Sequence, residues 1–373
     1  MKNESLTIEN GIKKFRSPEF NYNFRLADGY FQKWGKTFEE DPKWSVYGND
    51  IADIEVSDGN SCPVSCKFCY KGNRKGDSSE TTNMSLQTFV DIFNKFPKYD
   101  GHFYVCQIAF GITSIGANKD LFSIFQHCRN NNVIPNVTIN GADPLTDEQI
   151  STLVNLTGAM AISINSSIKD NGYDLIERLS KAGARQLNIH YVISKQSIEF
   201  AYQLANDVKN NPKLNGVNAI VFLGLKPKSR GQQFDVLPTE DYIKLVDYCM
   251  SNDIRYGFDS CSSPRFETAV SMSSAEESVK KMLIGCAERC ESSLFSAYVD
   301  TYGHYWHCSF GEGMDIANGI DLKNVKNFMS EVWNSEKTKS WRNRLFELNR
   351  ECPLYKEIHI DPSVATGEFP EKV

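Results

Sequence analysis

Between residues 47 and 255 the sequence alternates between strand-like and helix-like segments, and this alternation limits the fold more than any other feature. Apolar strand-like segments lie at 51–56, 104–110, 134–139, 160–164, 186–193 and 218–225. Helical patterns follow them at 85–95, 119–130, 147–156, 173–182, 198–210 and 239–251. Ser85 is suited to begin the first helix and Gly183 to follow the end of the fourth. Strands that alternate with helices favour an α/β fold with a parallel sheet.

The loop after the first predicted strand carries three cysteines, Cys62, Cys66 and Cys69, with the spacing C-x3-C-x2-C. Iron–sulfur clusters are normally held by four thiolates, so three ligands leave one iron of a cubane cluster open to another molecule. A zinc site needs four ligands, usually as paired C-x2-C motifs, and no second pair lies near this loop. A disulfide framework is typical of short secreted chains, whereas this chain has 373 residues.

This spacing, with the aromatic Phe68 just before the third cysteine, resembles the signature of the radical S-adenosylmethionine (radical SAM) superfamily. The resemblance implies an α/β fold with a partial (β/α)6 TIM-like barrel, in which chemistry sits at the C-terminal ends of the strands. It implies a 4Fe-4S cluster whose open iron binds S-adenosylmethionine. Reductive cleavage of that cofactor gives a 5′-deoxyadenosyl radical, which abstracts hydrogen from a substrate. A flavodoxin- or ferredoxin-type reductant is implied as the source of electrons.

The resemblance continues at the strand ends and implies contacts to the cofactor. Members commonly carry Gly-Gly-Glu-Pro after the second strand, where this chain has Phe-Gly-Ile-Thr-Ser, which keeps a glycine and lacks the acidic residue. Thr113 or Ser114 offers a weaker acceptor in its place. The cofactor contacts implied by the resemblance are Phe68, Gly111, Thr113, Ser114, Asn140, Ser163, Asn165 and Leu225.

Several of these strand-end residues have a second interpretation. Asn140 also fits an ordinary turn before Gly141, and Ser163 and Asn165 also fit capping positions. His190 is either a barrel histidine or an active-site residue. Lys226 and Arg230 either grip an anionic group of the substrate or are surface charges.

A second set of cysteines appears beyond residue 255, where the strand–helix alternation stops in the sequence pattern. Cys290 and Cys308 flank a predicted β-hairpin with strands at 296–300 and 305–307. Their C-x12-G-x4-C pattern resembles the opening of the SPASM and shorter twitch domains of radical SAM enzymes. The later C-x2-C-x5-C-x3-C run of a full SPASM domain is absent from the sequence, which favours a twitch-like domain with one auxiliary 4Fe-4S cluster.

Four auxiliary ligands are expected from five cysteines. The predicted ligands are Cys261, Cys290, Cys308 and Cys352, with Cys286 as the spare, although a Cys286–Cys290 pair is sterically possible. Cys106, Cys128 and Cys249 lie among apolar neighbours and are predicted to be buried core thiols.

Composition limits the location and the partners of the chain. A net charge of −6 and an isoelectric point near 5.7 argue against nucleic-acid binding, which favours a basic surface. No apolar signal segment and no stretch of membrane-spanning length is present, and eleven cysteines without an export signal predict a cytoplasmic metalloprotein. The predicted domains are an aromatic-rich extension at 1–46, the barrel at 47–255 and the auxiliary-cluster domain at 256–373.

These features give one leading hypothesis and two alternatives. The leading one is a radical SAM enzyme that modifies a peptide or protein, with an auxiliary cluster that assists electron transfer; oxidation of a small molecule belongs to the same architecture. Modification of a nucleotide, base or sugar is supported by the basic residues of the cysteine loop, Lys67, Lys71, Arg74 and Lys75. A non-catalytic iron–sulfur carrier or sensor is supported by the missing acidic residue. The sequence does not reveal which residue acts as a catalytic base or hydrogen donor.

Overall fold

The computed structural model describes residues 4–314 and 319–357. The strands are β1 (Ser5–Glu9), β2 (Ile12–Arg16), β3 (Asn21–Arg25), β4 (Phe31–Trp34), β5 (Ile51–Glu55), β6 (Ser57–Asp58), β7 (Thr82–Asn83), β8 (Lys98–Tyr99), β9 (His102–Phe103), β10 (Gln107–Gly111), β11 (Ile134–Asn140), β12 (Ala159–Ser163), β13 (Gln186–Ile193), β14 (Ala219–Gly224), β15 (Tyr256–Phe258), β16 (Ser296–Val299), β17 (His304–Trp306) and β18 (Ile320–Asp321). The α-helices are α1 (Leu86–Phe93), α2 (Leu121–Asn130), α3 (Asp147–Leu156), α4 (Lys169–Lys181), α5 (Ile198–Asn210), α6 (Thr239–Ser251), α7 (Ser263–Met272), α8 (Glu277–Gly285), α9 (Glu336–Glu347) and α10 (Pro353–Glu357).

The N-terminal segment folds as a four-stranded antiparallel sheet in the order β1-β2-β3-β4. Asn10 and Gly11, both at positive φ, form the two-residue turn between β1 and β2. Phe15 from this sheet packs edge-on against Tyr104, with ring centroids 4.8 Å apart. The aromatic residues of the segment therefore build a core between this small sheet and the rest of the chain.

The large sheet contains ten strands in the order β15-β14-β13-β12-β11-β10-β5-β16-β17-β18. The seven strands from β15 to β5 pair in parallel, as does β16 with β5, while β17 and β18 are antiparallel. A mixed α/β fold with a large parallel sheet is thus confirmed, and α3, α5 and α6 have the predicted bounds.

The prediction that the alternation stops at residue 255 is wrong, because β15 extends the parallel sheet by one more strand and α7 and α8 follow it. The short apolar segment of β15 gave too little periodicity to be recognised. The predicted hairpin exists as β16 and β17, and it joins the large sheet through β5.

The two faces of the parallel strands differ in polarity. Residues such as Ile54, Ile108 and Ile139 are buried in the main apolar core. Because side chains alternate along a strand, Glu55 and His190 belong to the opposite face. Parallel sheets are usually apolar on both faces, so this polar face is the side on which a site is expected.

Candidate active site and metal centres

The three-cysteine loop leaves the sheet after β5 and β6 and returns at β7. The backbone N–H of Cys69 donates to the carbonyl of Cys66 at 3.2 Å, and that of Cys62 donates to the carbonyl of Arg74 at 3.1 Å. Burial raises the pKa of the Cys66 thiol to about 11, the neighbouring thiols of Cys62 and Cys69 add to this rise, and Arg230 opposes it. The loop therefore brings its three thiols close enough to interact.

Arg230 fixes this loop from the segment that follows β14. Its Nε donates to the carbonyl of Cys66 at 2.9 Å, and one terminal nitrogen donates to the carbonyl of Gly72 at 3.0 Å. The other terminal nitrogen donates to the carbonyl of Asn73. The sequence left two interpretations of Arg230 open, a grip on an anionic group of the substrate and a surface charge. Neither describes this role, because the guanidinium donates to loop carbonyls.

A cavity lies between the cysteine loop and the C-terminal ends of several parallel strands. Its lining consists of Cys62, Cys66, Phe68, Cys69, Asn73, Ile112, Thr113, Thr138, Asn140, Ser163, Ile164, Asn165, Ile168, His190 and Val192. The structure thus gathers all three loop cysteines and five of the eight expected cofactor contacts around one space. The amide of Asn165 also donates to the sulfur of Cys66 at 3.5 Å.

The other three expected contacts, Gly111, Ser114 and Leu225, do not line this cavity. The hydroxyl of Ser114 donates to Asp143 Oδ1 at 2.7 Å. The carbonyl of Leu225 accepts a hydrogen bond from the Tyr355 hydroxyl at 2.7 Å. Ser114 and Leu225 are therefore engaged in contacts within the protein.

Gly111 lies under the side chain of Glu55. A Cβ atom at Gly111 would lie 2.7 Å from Glu55 Cδ, so glycine leaves the room that this carboxyl group occupies. Burial raises the pKa of Glu55 to about 7, and Lys71, whose Nζ is 3.7 Å from Glu55 Oε2, opposes the rise. Glu55 therefore lies beside Gly111 and pairs with Lys71, and it is not among the residues that line the cavity.

Thr138, Asn73 and His190 line the cavity although the sequence did not select them as contacts. Thr138 Oγ1 lies 3.5 Å from His190 Nδ1. Burial lowers the pKa of His190 to about 4, so its imidazole is neutral near pH 7. His190 is therefore part of the cavity wall, where it offers one donor and one acceptor.

The second cysteine set comes together from four separate segments of the chain. The neighbouring thiol of Cys352 lowers the pKa of Cys261, and the thiol of Cys261 raises the pKa of Cys352. Cys290 and Cys308 are close enough to interact electrostatically with both. Cys286 is exposed at the end of α8. Cys106, Cys128 and Cys249 are buried, as predicted.

The loops that carry the two cysteine sets contact each other. The Tyr70 hydroxyl donates to Ser309 Oγ at 3.0 Å, and Lys71 forms an ion pair with Glu312. Lys71 also donates to the Tyr298 hydroxyl at 2.9 Å. The positive charge of Lys71 is therefore compensated inside the protein. This weakens the argument that a basic cysteine loop binds a nucleotide, base or sugar.

Within residues 4–314 and 319–357, no group of three or more His, Cys, Asp or Glu residues is arranged to hold a single metal ion. A cubane cluster separates its thiolates more widely than one ion does, because each thiolate binds a different iron. The proximity of the cysteines in each set fits such a cluster. None of the described helices is both long and apolar enough to span a membrane.

No protein family and no curated protein matches the sequence. Solved structures do match. SuiB from Streptococcus suis bound to S-adenosylmethionine has a TM-score of 0.60 at 13% identity, and the match covers 79% of this chain and 68% of SuiB. SuiB bound to its precursor peptide SuiA has a TM-score of 0.59 at 13% identity, covering 79% and 67% of the two chains.

At 13% identity the similarity shows the fold alone, and this chain shares that fold with SuiB. The fold that the resemblance implied is confirmed as a mixed α/β fold with a large parallel sheet.

Proposed function

We propose that this protein binds S-adenosylmethionine and a 4Fe-4S cluster in the cavity above the parallel sheet and carries out radical SAM catalysis there. The observation that supports this most directly is the shared cavity of Cys62, Cys66 and Cys69 with Asn140, Ser163 and Asn165. The cluster would supply the electron that cleaves the cofactor to a 5′-deoxyadenosyl radical. We also propose that residues 47–255 curve as a partial (β/α)6 barrel around this site.

The residues of the chain have separate tasks in this proposal. Cys62, Cys66 and Cys69 hold three irons, and Asn165 donates a hydrogen bond to the sulfur of Cys66. Asn140 and Ser163 offer hydrogen-bonding groups to the polar parts of the cofactor, while Phe68 covers it with an apolar surface. Arg230 keeps the loop closed over the cavity by holding its carbonyls.

We further propose that Cys261, Cys290, Cys308 and Cys352 hold one auxiliary 4Fe-4S cluster in a twitch-like domain. Cys290 and Cys352 lie in one core cluster with Cys308 packed against it, and the backbone N–H of Cys290 donates to the carbonyl of Arg350 at 3.3 Å, which supports this assignment. With four thiolates the cluster has no open iron, which favours electron transfer over direct binding of substrate. A flavodoxin- or ferredoxin-type protein would deliver the electrons.

The substrate that we propose is a peptide or protein. The support comes from the fold shared with SuiB, which has been crystallised with its precursor peptide. The basic cysteine loop is a weaker argument for a nucleotide or sugar substrate, because Lys71 pairs with Glu55 and Glu312.

The decisive experiment uses anaerobically reconstituted protein, reduced with dithionite and mixed with S-adenosylmethionine. We expect 5′-deoxyadenosine, detected by liquid chromatography and mass spectrometry. The matched control replaces Cys62, Cys66 and Cys69 by Ala and should form none. A wild-type protein that binds iron but forms no 5′-deoxyadenosine would instead be an electron carrier or a sensor.

A further inference from the structure

Two residues that directly follow proposed cluster ligands touch each other. Tyr70 follows Cys69 in the sequence, and Ser309 follows Cys308. The Tyr70 hydroxyl donates a hydrogen bond of 3.0 Å to Ser309 Oγ. The two cysteine sets are thus joined by a path of covalent bonds that is interrupted by one hydrogen bond.

The contacts on either side of this hydrogen bond hold the two loops together. Lys71 pairs with Glu312 on the Ser309 side. Lys228 donates to the carbonyl of Phe310 at 3.1 Å and also to that of Glu312. Lys71 therefore joins the two loops directly, while Lys228 ties the Ser309 loop to the segment that carries Arg230.

The ring of Tyr70 is held as firmly as its hydroxyl. Lys226 Nζ lies 5.6 Å from the centroid of the Tyr70 ring, and it is 3.2 Å from Asp259 Oδ2. A cation over an aromatic face is attracted to it, so Lys226 helps to orient the ring. Lys226 is thus neither a surface charge nor free to grip a substrate.

We propose that the Tyr70–Ser309 hydrogen bond is the electron path between the two clusters. The inference rests on the proposed function, because it needs both clusters. A reductant of the ferredoxin or flavodoxin class supplies one electron. With both clusters bound, one electron would pass along this path, so that one cluster would be oxidised by one electron as the other is reduced by one, and no covalent bond would form or break. Tyr70 keeps its proton and is not itself oxidised.

The test compares Tyr70→Phe, Ser309→Ala and the double variant in full-length reconstituted protein. Brief photoreduction with a deazaflavin is followed by rapid freezing and electron paramagnetic resonance, which reports the redistribution of the electron between the clusters. We expect transfer to slow in all three variants, because each loses the hydrogen bond that joins the two loops. The double variant should be no slower than either single variant, because all three lose the same bond.

The matched control is Tyr302→Phe on the turn between β16 and β17. It removes a hydroxyl that lies 3.2 Å from Thr82 Oγ1, and it should leave the transfer rate unchanged. Iron content and both midpoint potentials should stay at wild-type values in all variants. Wild-type transfer rates in Tyr70→Phe and Ser309→Ala would overturn the inference. So would lost iron or shifted potentials that account for the slower transfer, because the bond would then be structural.

The failure of the inference and that of the proposed function give different results. Wild-type protein that forms no 5′-deoxyadenosine contradicts the proposed function, whatever Tyr70 does. Wild-type protein that cleaves the cofactor but holds one cluster overturns the electron path and leaves the catalysis standing.

Discussion

The two cysteine sets are built in opposite ways. Cys62, Cys66 and Cys69 come from one loop, and two of them are partly exposed. The second set is gathered from segments between residues 261 and 352, and Cys290 and Cys352 belong to the apolar core beneath the N-terminal sheet. The first site is therefore a property of local sequence, and the second is a property of the tertiary fold. This difference predicts that losing the first cluster removes chemistry, whereas losing the second removes stability as well.

The largest effect is expected for Cys352→Ala. A metal site that ties distant segments stabilises the folded chain over the unfolded one, so its loss should lower the free energy of unfolding by several kcal/mol. Iron should fall by about four atoms per chain, the content of one cubane cluster. The variant in which the three loop cysteines are replaced by Ala should lose as much iron with a much smaller loss of stability. Iron analysis and anaerobic thermal unfolding measure both quantities.

Cys286→Ala is the matched control, because Cys286 is exposed at the end of α8. It should keep wild-type iron and wild-type stability. A Cys286→Ala protein with one cluster, beside a Cys352→Ala protein with two, would contradict the ligand assignment.

The next effect concerns Arg230, which supports the loop of Cys62, Cys66 and Cys69 and makes no such contact with the second cysteine set. Arg230 donates to three loop carbonyls, and hydrogen bonds that involve a charged group contribute about 1.5–3 kcal/mol each. Arg230→Lys keeps the charge but cannot reproduce the planar fork. We expect the loop cluster to be lost to a chelator at least several times faster, while the second cluster stays. Arg255→Lys is the control, since Arg255 donates to the carbonyl of Val217. Equal iron release in the two variants would contradict this role.

The sequence predicted the parts of the molecule whose pattern is local. The strands and helices between residues 47 and 255 follow from apolar periodicity, and the bounds of α5 (Ile198–Asn210) agree at both ends. The spacing of the loop cysteines needed no tertiary information. The Asn10–Gly11 turn of the N-terminal sheet was also a local signal, and the aromatic richness of the segment obscured it.

The contacts between distant segments were beyond the sequence. Arg230 reaches the cysteine loop across 164 residues, and Tyr70 reaches Ser309 across 239. No periodicity records which charged side chain meets which carbonyl, because such pairs depend on how the strands are ordered in the sheet. Glu55 beside Gly111 has the same origin, since neighbouring parallel strands place the two residues side by side.

A smaller effect tests whether the polar face of the sheet is as tightly packed as the second cysteine site. Gly111→Ala would place a Cβ atom against the Glu55 carboxyl group. Overpacking of this kind costs about 1–3 kcal/mol. The control is Gly257→Ala on β15, where an added Cβ meets no atom within 4 Å. Denaturant unfolding of both variants measures the difference, and equal stabilities would show that Glu55 moves aside without cost.

The smallest expected effect is a dependence on pH that arises from Glu55, between the two sites. Burial raises its pKa from 4.5 to about 7, so the folded protein holds the proton more tightly than the unfolded chain does. The contribution of Glu55 to stability is therefore present at low pH and is lost as the pH rises through about 7. Glu55→Gln lacks this titration, and its stability relative to wild type should increase by about 1 kcal/mol per pH unit between roughly pH 5 and 7.

Denaturant unfolding at several pH values measures this difference, and Asp28→Asn controls for the loss of a charge. The hydrogen bond from Arg25 lowers the pKa of Asp28, so that carboxylate stays ionised throughout this range. Its variant should differ from wild type by a constant amount. If Glu55→Gln also differed by a constant amount, the ion pair with Lys71 would outweigh burial, and Glu55 would stay ionised throughout this range. A slope confined to Glu55→Gln would instead show that burial outweighs the ion pair with Lys71 at this position.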